Sequence, residues 1–258
     1  MKARTLGSLF SLALLIALPA SAQAGGQVAS ATGVKQVNGQ TLYVDVVVAV
    51  PRSQTARQAT DQALAQQGAI RQKPPWAGPP GGGGGGGGND FAYTGLEWDP
   101  PSVTQNYNPT GQPLSALGAL TSTHTTWNGV SGSTFRFSLG DDDAPRCPSL
   151  VQQCKGPQVT DDFNDVGWAS LGGSTLGVTW FTTSDPEADM ALNTRFAWDD
   201  TCTDSGSTYD VETVFLHENG HVAGLDHTDT RQSVMYPSYQ SARCTLYAYD
   251  EAAMAFLY

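Results

Sequence analysis

Residues 217–227 read His217-Glu218-Asn219-Gly220-His221-Val222-Ala223-Gly224-Leu225-Asp226-His227. The run before them, with Asp210 as N-cap, predicts a helix over 211–223. Helix residues four apart share a face, so His217 and His221 can offer two imidazoles to one cation. Glu218 follows the first of them directly. It sits beside the cation rather than on it, where a carboxylate can take a proton from water. Gly224 can adopt positive φ, end the helix and turn the chain back. His227 then reaches a third position. Three neutral imidazoles with one open corner form the ligand set of a catalytic zinc. The chain has four histidines, and three of them fall in this stretch. The fourth, His124, lies at a Thr-rich helix end and reads as structural.

Working outward, Ser233-Val234-Met235-Tyr236-Pro237 follows a few residues downstream. HENGHVAGLDH resembles the extended zinc motif of the metzincin metalloproteases, H-E-x-x-H-x-x-G-x-x-H, and the segment around Met235 resembles their methionine turn. Met235-Tyr236-Pro237-Ser238-Tyr239 is most similar to the matrixins, the matrix-metalloproteinase branch. Astacins and serralysins typically place a tyrosine where this chain has Pro237.

The resemblance implies an α+β zinc-peptidase domain over residues 90–258. Its parts would be a twisted, mainly parallel sheet, an active-site helix and a C-terminal helix over 250–257. It implies Zn2+ on His217, His221 and His227, Glu218 as general base, and Met235 as an apolar floor under the imidazoles. Pro237 and Tyr239 would wall the substrate pocket. Residues 176–182 resemble the edge strand that pairs with an extended substrate, a case of β-augmentation.

The chain also departs from the family. Matrixin propeptides usually carry a P-R-C-G cysteine switch, yet no cysteine precedes Cys147. Pro145-Arg146-Cys147-Pro148 echoes that motif inside the catalytic domain and reads as coincidence. Too few histidines remain for a second, structural zinc. Ca2+ is a further candidate cation at Asp141-Asp142-Asp143, Asp161-Asp162 or Asp199-Asp200, since carboxylate-rich loops suit it. Such clusters are more often solvated turns.

Composition limits the partners. The formal net charge is −11, from 24 acidic and 13 basic residues. Such a surface repels nucleic acid and anionic membranes, so neither is an expected partner. Lys2 and Arg4, a short apolar run over 9–18 and the small-x-small triplet Ala22-Gln23-Ala24 read as a signal peptide over 1–24. A secreted product, or a periplasmic one if retained, is the expectation. Four cysteines allow three pairings in an oxidising compartment. Cys147 with Cys154 and Cys202 with Cys244 is the favoured one.

Organisation follows from texture. Residues 41–50 (TLYVDVVVAV) predict a strand, and 55–67 a helix stopped by Gly68. One strand and one helix bury little alone. The 25–73 segment must therefore pack on something else or be removed, as a propeptide or an accessory piece. Residues 74–89 (PPWAGPPGGGGGGGGN) read as a flexible linker and a domain boundary. Beyond it, strands are expected over 103–107, 134–139, 166–169, 176–182 and 190–196, with a helix over 113–127. The expected product is a monomeric, secreted zinc endopeptidase acting on protein or peptide substrates. Its rivals are a non-catalytic peptide-binding module that keeps the zinc scaffold, and a zinc hydrolase of non-peptide amides.

Overall fold

The computed structural model describes residues 26–71, 91–140, 161–203, 207–239 and 241–258. The 1–24 leader, the 74–89 linker, Asp141–Asp143 and the Cys147 and Cys154 pair lie outside the described residues. The described chain runs β1 (Val28–Val37), β2 (Gln40–Ala49), α1 (Ala56–Gln66), β3 (Ile70–Arg71), β4 (Ser102–Tyr107) and α2 (Leu117–Asn128). It continues β5 (Arg136–Leu139), β6 (Asn164–Ala169), β7 (Thr175–Thr182), β8 (Glu187–Asn193), β9 (Trp198–Asp199) and β10 (Tyr209–Asp210). The last elements are α3 (Val211–Val222), β11 (Ser238–Tyr239) and α4 (Ala248–Leu257).

One large sheet carries the order β11-β1-β2-β7-β8-β6-β4-β5, with β3 also on β1. Within residues 91–258 it is mainly parallel: β8, β6, β4 and β5 run together, and β7 lies antiparallel on β8. Helices flank this α+β sheet. On one face, β7 and β8 residues such as Leu176, Met190 and Leu192 join Leu120, Trp127, Val214 and Phe215 of α2 and α3. On the other face, Ala59, Ala63 and Leu64 of α1 meet Leu42, Val44, Val46, Val178 and Trp180. Two apolar layers on one sheet are what fully buried strands require.

The N-terminal segment therefore does not stand alone. The reading from sequence found β2 and α1 but missed β1, which pairs with β2 along its whole length from Val28↔Ala49 to Val37↔Gln40. The hairpin then lies antiparallel along β7, from Tyr43↔Phe181 to Val48↔Thr175. The strand 176–182, expected as the edge that pairs with an extended segment, is not at the sheet edge in the full chain, because β2 takes that position. The period of a strand puts alternate β2 residues on opposite faces. Leu42, Val44, Val46 and Val48 face α1, while Tyr43 and Val47 join the α3 side.

Local signals explain most boundaries. Thr55 caps α1 in a capping box with Gln58, the Gln58 N–H donating to Thr55 Oγ1 at 3.2 Å and the Thr55 N–H to Gln58 Oε1 at 2.9 Å. Helix α2 begins at Leu117, later than Pro113. Ala116, its N-cap, has φ −105° and ψ 3° and no side-chain cap bond, and the first helical turn closes only where the Leu120 N–H reaches the Ala116 carbonyl at 3.0 Å. The strand expected over 190–196 is β8, which starts earlier, at Glu187. No helix among the described residues is long and apolar enough to cross a membrane.

Candidate metal centre

Helix α3 is capped by Asp210, whose carboxylate accepts the Thr213 N–H at 2.7 Å. The helix is buried almost throughout, so its two histidines face an enclosed site. His217 Nδ1 lies 2.7 Å from the Val234 carbonyl and His221 Nδ1 lies 2.9 Å from the Leu225 carbonyl. A carbonyl only accepts, so both rings carry their proton on Nδ1 and present a bare Nε2. Helix α3 ends at Val222 with Ala223 as its C-cap, and Gly224 follows with φ +99°. The returning chain is held by backbone bonds from Thr94 N–H to the Gly224 carbonyl at 2.8 Å and from Asp226 N–H to the Ala92 carbonyl at 2.9 Å. His227 arrives with its Nε2 3.2 Å from the Nε2 of both His217 and His221.

Those distances test the expected zinc. Bonds of about 2.0–2.1 Å at a tetrahedral ion put neighbouring ligand atoms about 3.3 Å apart. The 3.2 Å spacings match that edge, and with its own proton on Nδ1 His227 would offer a third lone pair to the same cation. Burial pushes His217 and His221 down to about 4, and His227 well below its ordinary value, so the rings are in the neutral, ligating form. The residues fit a tetrahedral divalent ion.

A fourth group joins them, one that the sequence reading did not single out. Asp45 of β2, with His217, His221 and His227, forms a set of ligand atoms all within 4.8 Å of one another. Its Oδ1 is 3.7 Å from His221 Nε2 and its Oδ2 3.5 Å from His227 Nε2. Thr32 of β1 donates to Asp45 Oδ2 at 3.0 Å, and Ser30 Oγ lies 2.8 Å from His227 Nε2. Burial raises the Asp45 carboxyl to about 6. The available signal was a lone charged residue inside an apolar β-branched run.

Glu218 is fully buried. Its Oε2 accepts the Thr179 hydroxyl of β7, while Oε1 has no hydrogen-bond partner. Burial, and then the Asp45 charge, hold its carboxyl well above the usual range. Met235 packs directly on α3: a Cβ on Gly220 would lie 2.2 Å from the Met235 sulfur. Glycine at 220 is thus what lets the methionine turn come close. The turn is fixed from α4, because Asp250 accepts Ser233 Oγ at 2.5 Å and the Val234 N–H at 3.0 Å. Val234 in turn supplies the carbonyl that orients His217.

The other expected site residues are placed as follows. Pro237 is half-buried, and its carbonyl accepts the Ser30 N–H at 3.0 Å. The Tyr239 backbone pairs with Val28. Cys202 and Cys244 form a disulfide across a sequence separation of 42, tying the chain before α3 to the segment after the methionine turn. Asp199 accepts Thr201 N–H and hydroxyl at 3.2 and 2.8 Å. Asp161 accepts the Phe163 N–H at 3.2 Å. Among the described residues, neither of these acidic pairs belongs to a cluster of three ligating groups.

His124 lies away from this centre and holds α2, β4 and α3 together. Its Nε2 donates to Gln105 Oε1 at 2.6 Å, Gln105 Nε2 donates to Asn219 Oδ1 at 3.1 Å, and Asn219 Nδ2 to Thr123 Oγ1 at 2.9 Å. Burial pushes His124 down to about 4 from an ordinary 6.5. Between those values the unfolded chain binds a proton at this ring that the folded chain does not, so stability falls as pH falls through that window. His124→Gln keeps a donor toward Gln105. Its melting temperature should drop less than the parent's between pH 7 and pH 4.5, as followed by circular dichroism; equal drops would remove the assigned cause.

Three histidines on and after a helix, a glutamate beside them, a methionine packed below and a mainly parallel sheet are the arrangement that the resemblance to metzincin metallopeptidases implies. The family model for the matrixins, Peptidase_M10, matches residues 162–258. That segment, from β6 to α4, is a matrixin-like metalloprotease domain. No curated protein matches the chain.

Proposed function

We propose that the protein is a secreted zinc endopeptidase, with His217, His221 and His227 as metal ligands and Glu218 as general base. The observation that supports it most is the pair of 3.2 Å approaches among three Nε2 atoms, beside a buried carboxylate that ligates nothing. Zinc in that position would polarise a substrate carbonyl and lower the pKa of water toward roughly 7. Glu218 Oε1 is the oxygen free to accept a proton from the attacking water and return it to the leaving amine. Thr179, bonded to the other oxygen, fixes which one that is. Pro237 and Tyr239 would wall the pocket for the side chain beyond the cleaved bond. Residues 25–73 are read as a propeptide-like unit, 74–89 as the linker to the catalytic domain, and the product as a monomer.

The rival reading, a peptide-binding module on a zinc scaffold, leaves Glu218 without a task. The test is casein digestion by the purified chain, before and after limited proteolysis between residues 72 and 90, with and without a chelator. One zinc per chain and chelator-sensitive cleavage after trimming are expected. Zinc with no cleavage even after the 26–71 segment has been dissociated from the trimmed chain would transfer the chain to the rival class.

A further inference from the structure

We propose that the β1–β2 hairpin occupies the substrate cleft of its own chain, and that Asp45 is the fourth ligand of the cation held by His217, His221 and His227. The inference rests on the metal site proposed above and adds how that site is closed. Its first support is register. An extended peptide would bind antiparallel along β7, and β2 lies there, with Asp45 opposite Thr179. Thr179 is the residue whose hydroxyl holds Glu218, so Asp45 enters the cleft at the level of the proposed base. The opposite wall is taken as well: β1 pairs Val28 with Tyr239 and Ala29 with Ser238.

The second support is geometry at the open corner. Asp45 oxygens stand 3.5 and 3.7 Å from two of the ligand nitrogens, close to the edge of about 3.3 Å that a tetrahedral ion imposes. The carboxylate has no exposed surface, and its Oδ1 makes no hydrogen bond. A buried carboxylate is strongly unfavourable unless a cation compensates it. Among the described residues, its ion-pairing neighbours within 4.0 Å are His221 and His227. Thr32, donating at 3.0 Å, aims the group.

The third support is anchoring. Tyr43 and Val47 flank Asp45 on the same face of β2. Tyr43 stacks on Phe181 with ring centroids 5.3 Å apart, and Val47 is fully buried in the core shared with α3. Two apolar anchors therefore seat the carboxylate between them. With Asp45 bound, no corner remains for water, and the intact chain is latent without a cysteine.

The test uses the full, uncut chain loaded with cobalt(II), whose visible spectrum reports coordination, and compares the parent with Asp45→Ala and Asp45→Asn. The parent spectrum should be indifferent to azide. Both variants should show a shifted spectrum that azide shifts again. Their zinc affinity should fall by at least the roughly 10–100-fold that losing an outer-shell partner costs. The metal-free variants should melt no lower than the metal-free parent, because an uncompensated buried charge has gone. Identical spectra and affinities in all three proteins, or azide binding to the parent, would overturn the role of Asp45 and leave the three-histidine site standing. Variants that melt lower by the same amount with and without metal would overturn it too, as a structural role. Failure of all three to bind cobalt would instead remove the metal site, and this inference with it.

Discussion

Replacing Glu218 with alanine should lower peptide hydrolysis by the trimmed chain about 10²–10⁴-fold, the span that a positioned general base supplies. Zinc should stay at one per chain. The two effects separate because Glu218 makes no bond to the histidines. His217 and His221 are oriented by the Val234 and Leu225 carbonyls, and His227 is carried by the loop after α3. None of those anchors involves the Glu218 side chain, whose one hydrogen bond is to Thr179. Removing a fully buried carboxylate also relieves a desolvation cost, so the variant should fold at least as well as its parent. Casein turnover, together with metal analysis of the same sample, reads both outcomes. Unchanged turnover would end the assignment of Glu218 as base. Turnover and zinc lost together would make it a structural group.

The same contrast explains what could be read in the sequence. A three-histidine motif is local: one helix, one glycine and one loop bring its residues together, so spacing alone located His217, His221 and His227. The strands of β-branched residues and the capped helices α1 and α3 were legible for the same reason. The occupied cleft was not. Strand β1 (VASATGVKQV) is diluted by Ala, Ser and Gly, residues with weak strand preference, and it becomes a strand through pairing with β2. Asp45 lies more than 170 positions before His217, the first of the three clustered histidines, which leaves no spacing to read. Asp250 and Asn219 were missed on similar grounds, since each acts through partners brought in by the tertiary fold. Asp45 alone carried a usable hint, because a charged residue flanked by valines in a buried strand needs a compensating partner. The matrixin match begins at residue 162, so the family resemblance is silent on the hairpin as well.

Gly224→Ala should be the most damaging single-methyl change near the site, destabilising the metal-free chain by about 2–4 kcal/mol, at the high end for point substitutions. Two costs combine. The residue sits at φ +99°, a region that side chains other than glycine rarely enter. A Cβ there would also lie 2.3 Å from the Leu96 carbonyl oxygen and 3.2 Å from Leu257 Cδ2. Leu96 is backbone in a buried segment, so it cannot step aside as a flexible side chain would. At Gly220 the obstructing atom is the Met235 sulfur, which has rotamers to spare. The strain at 224 has to be released by moving the loop, and that loop carries the Leu225 carbonyl that orients His221, and then His227 itself. Stability and metal binding should therefore fall together, unlike the separation expected at Glu218. Thermal melting and zinc titration of the same variant check this. A variant that melts lower yet binds zinc as tightly as the parent would show that the loop tolerates the methyl group without shifting the third histidine, and that Gly224 serves the fold alone.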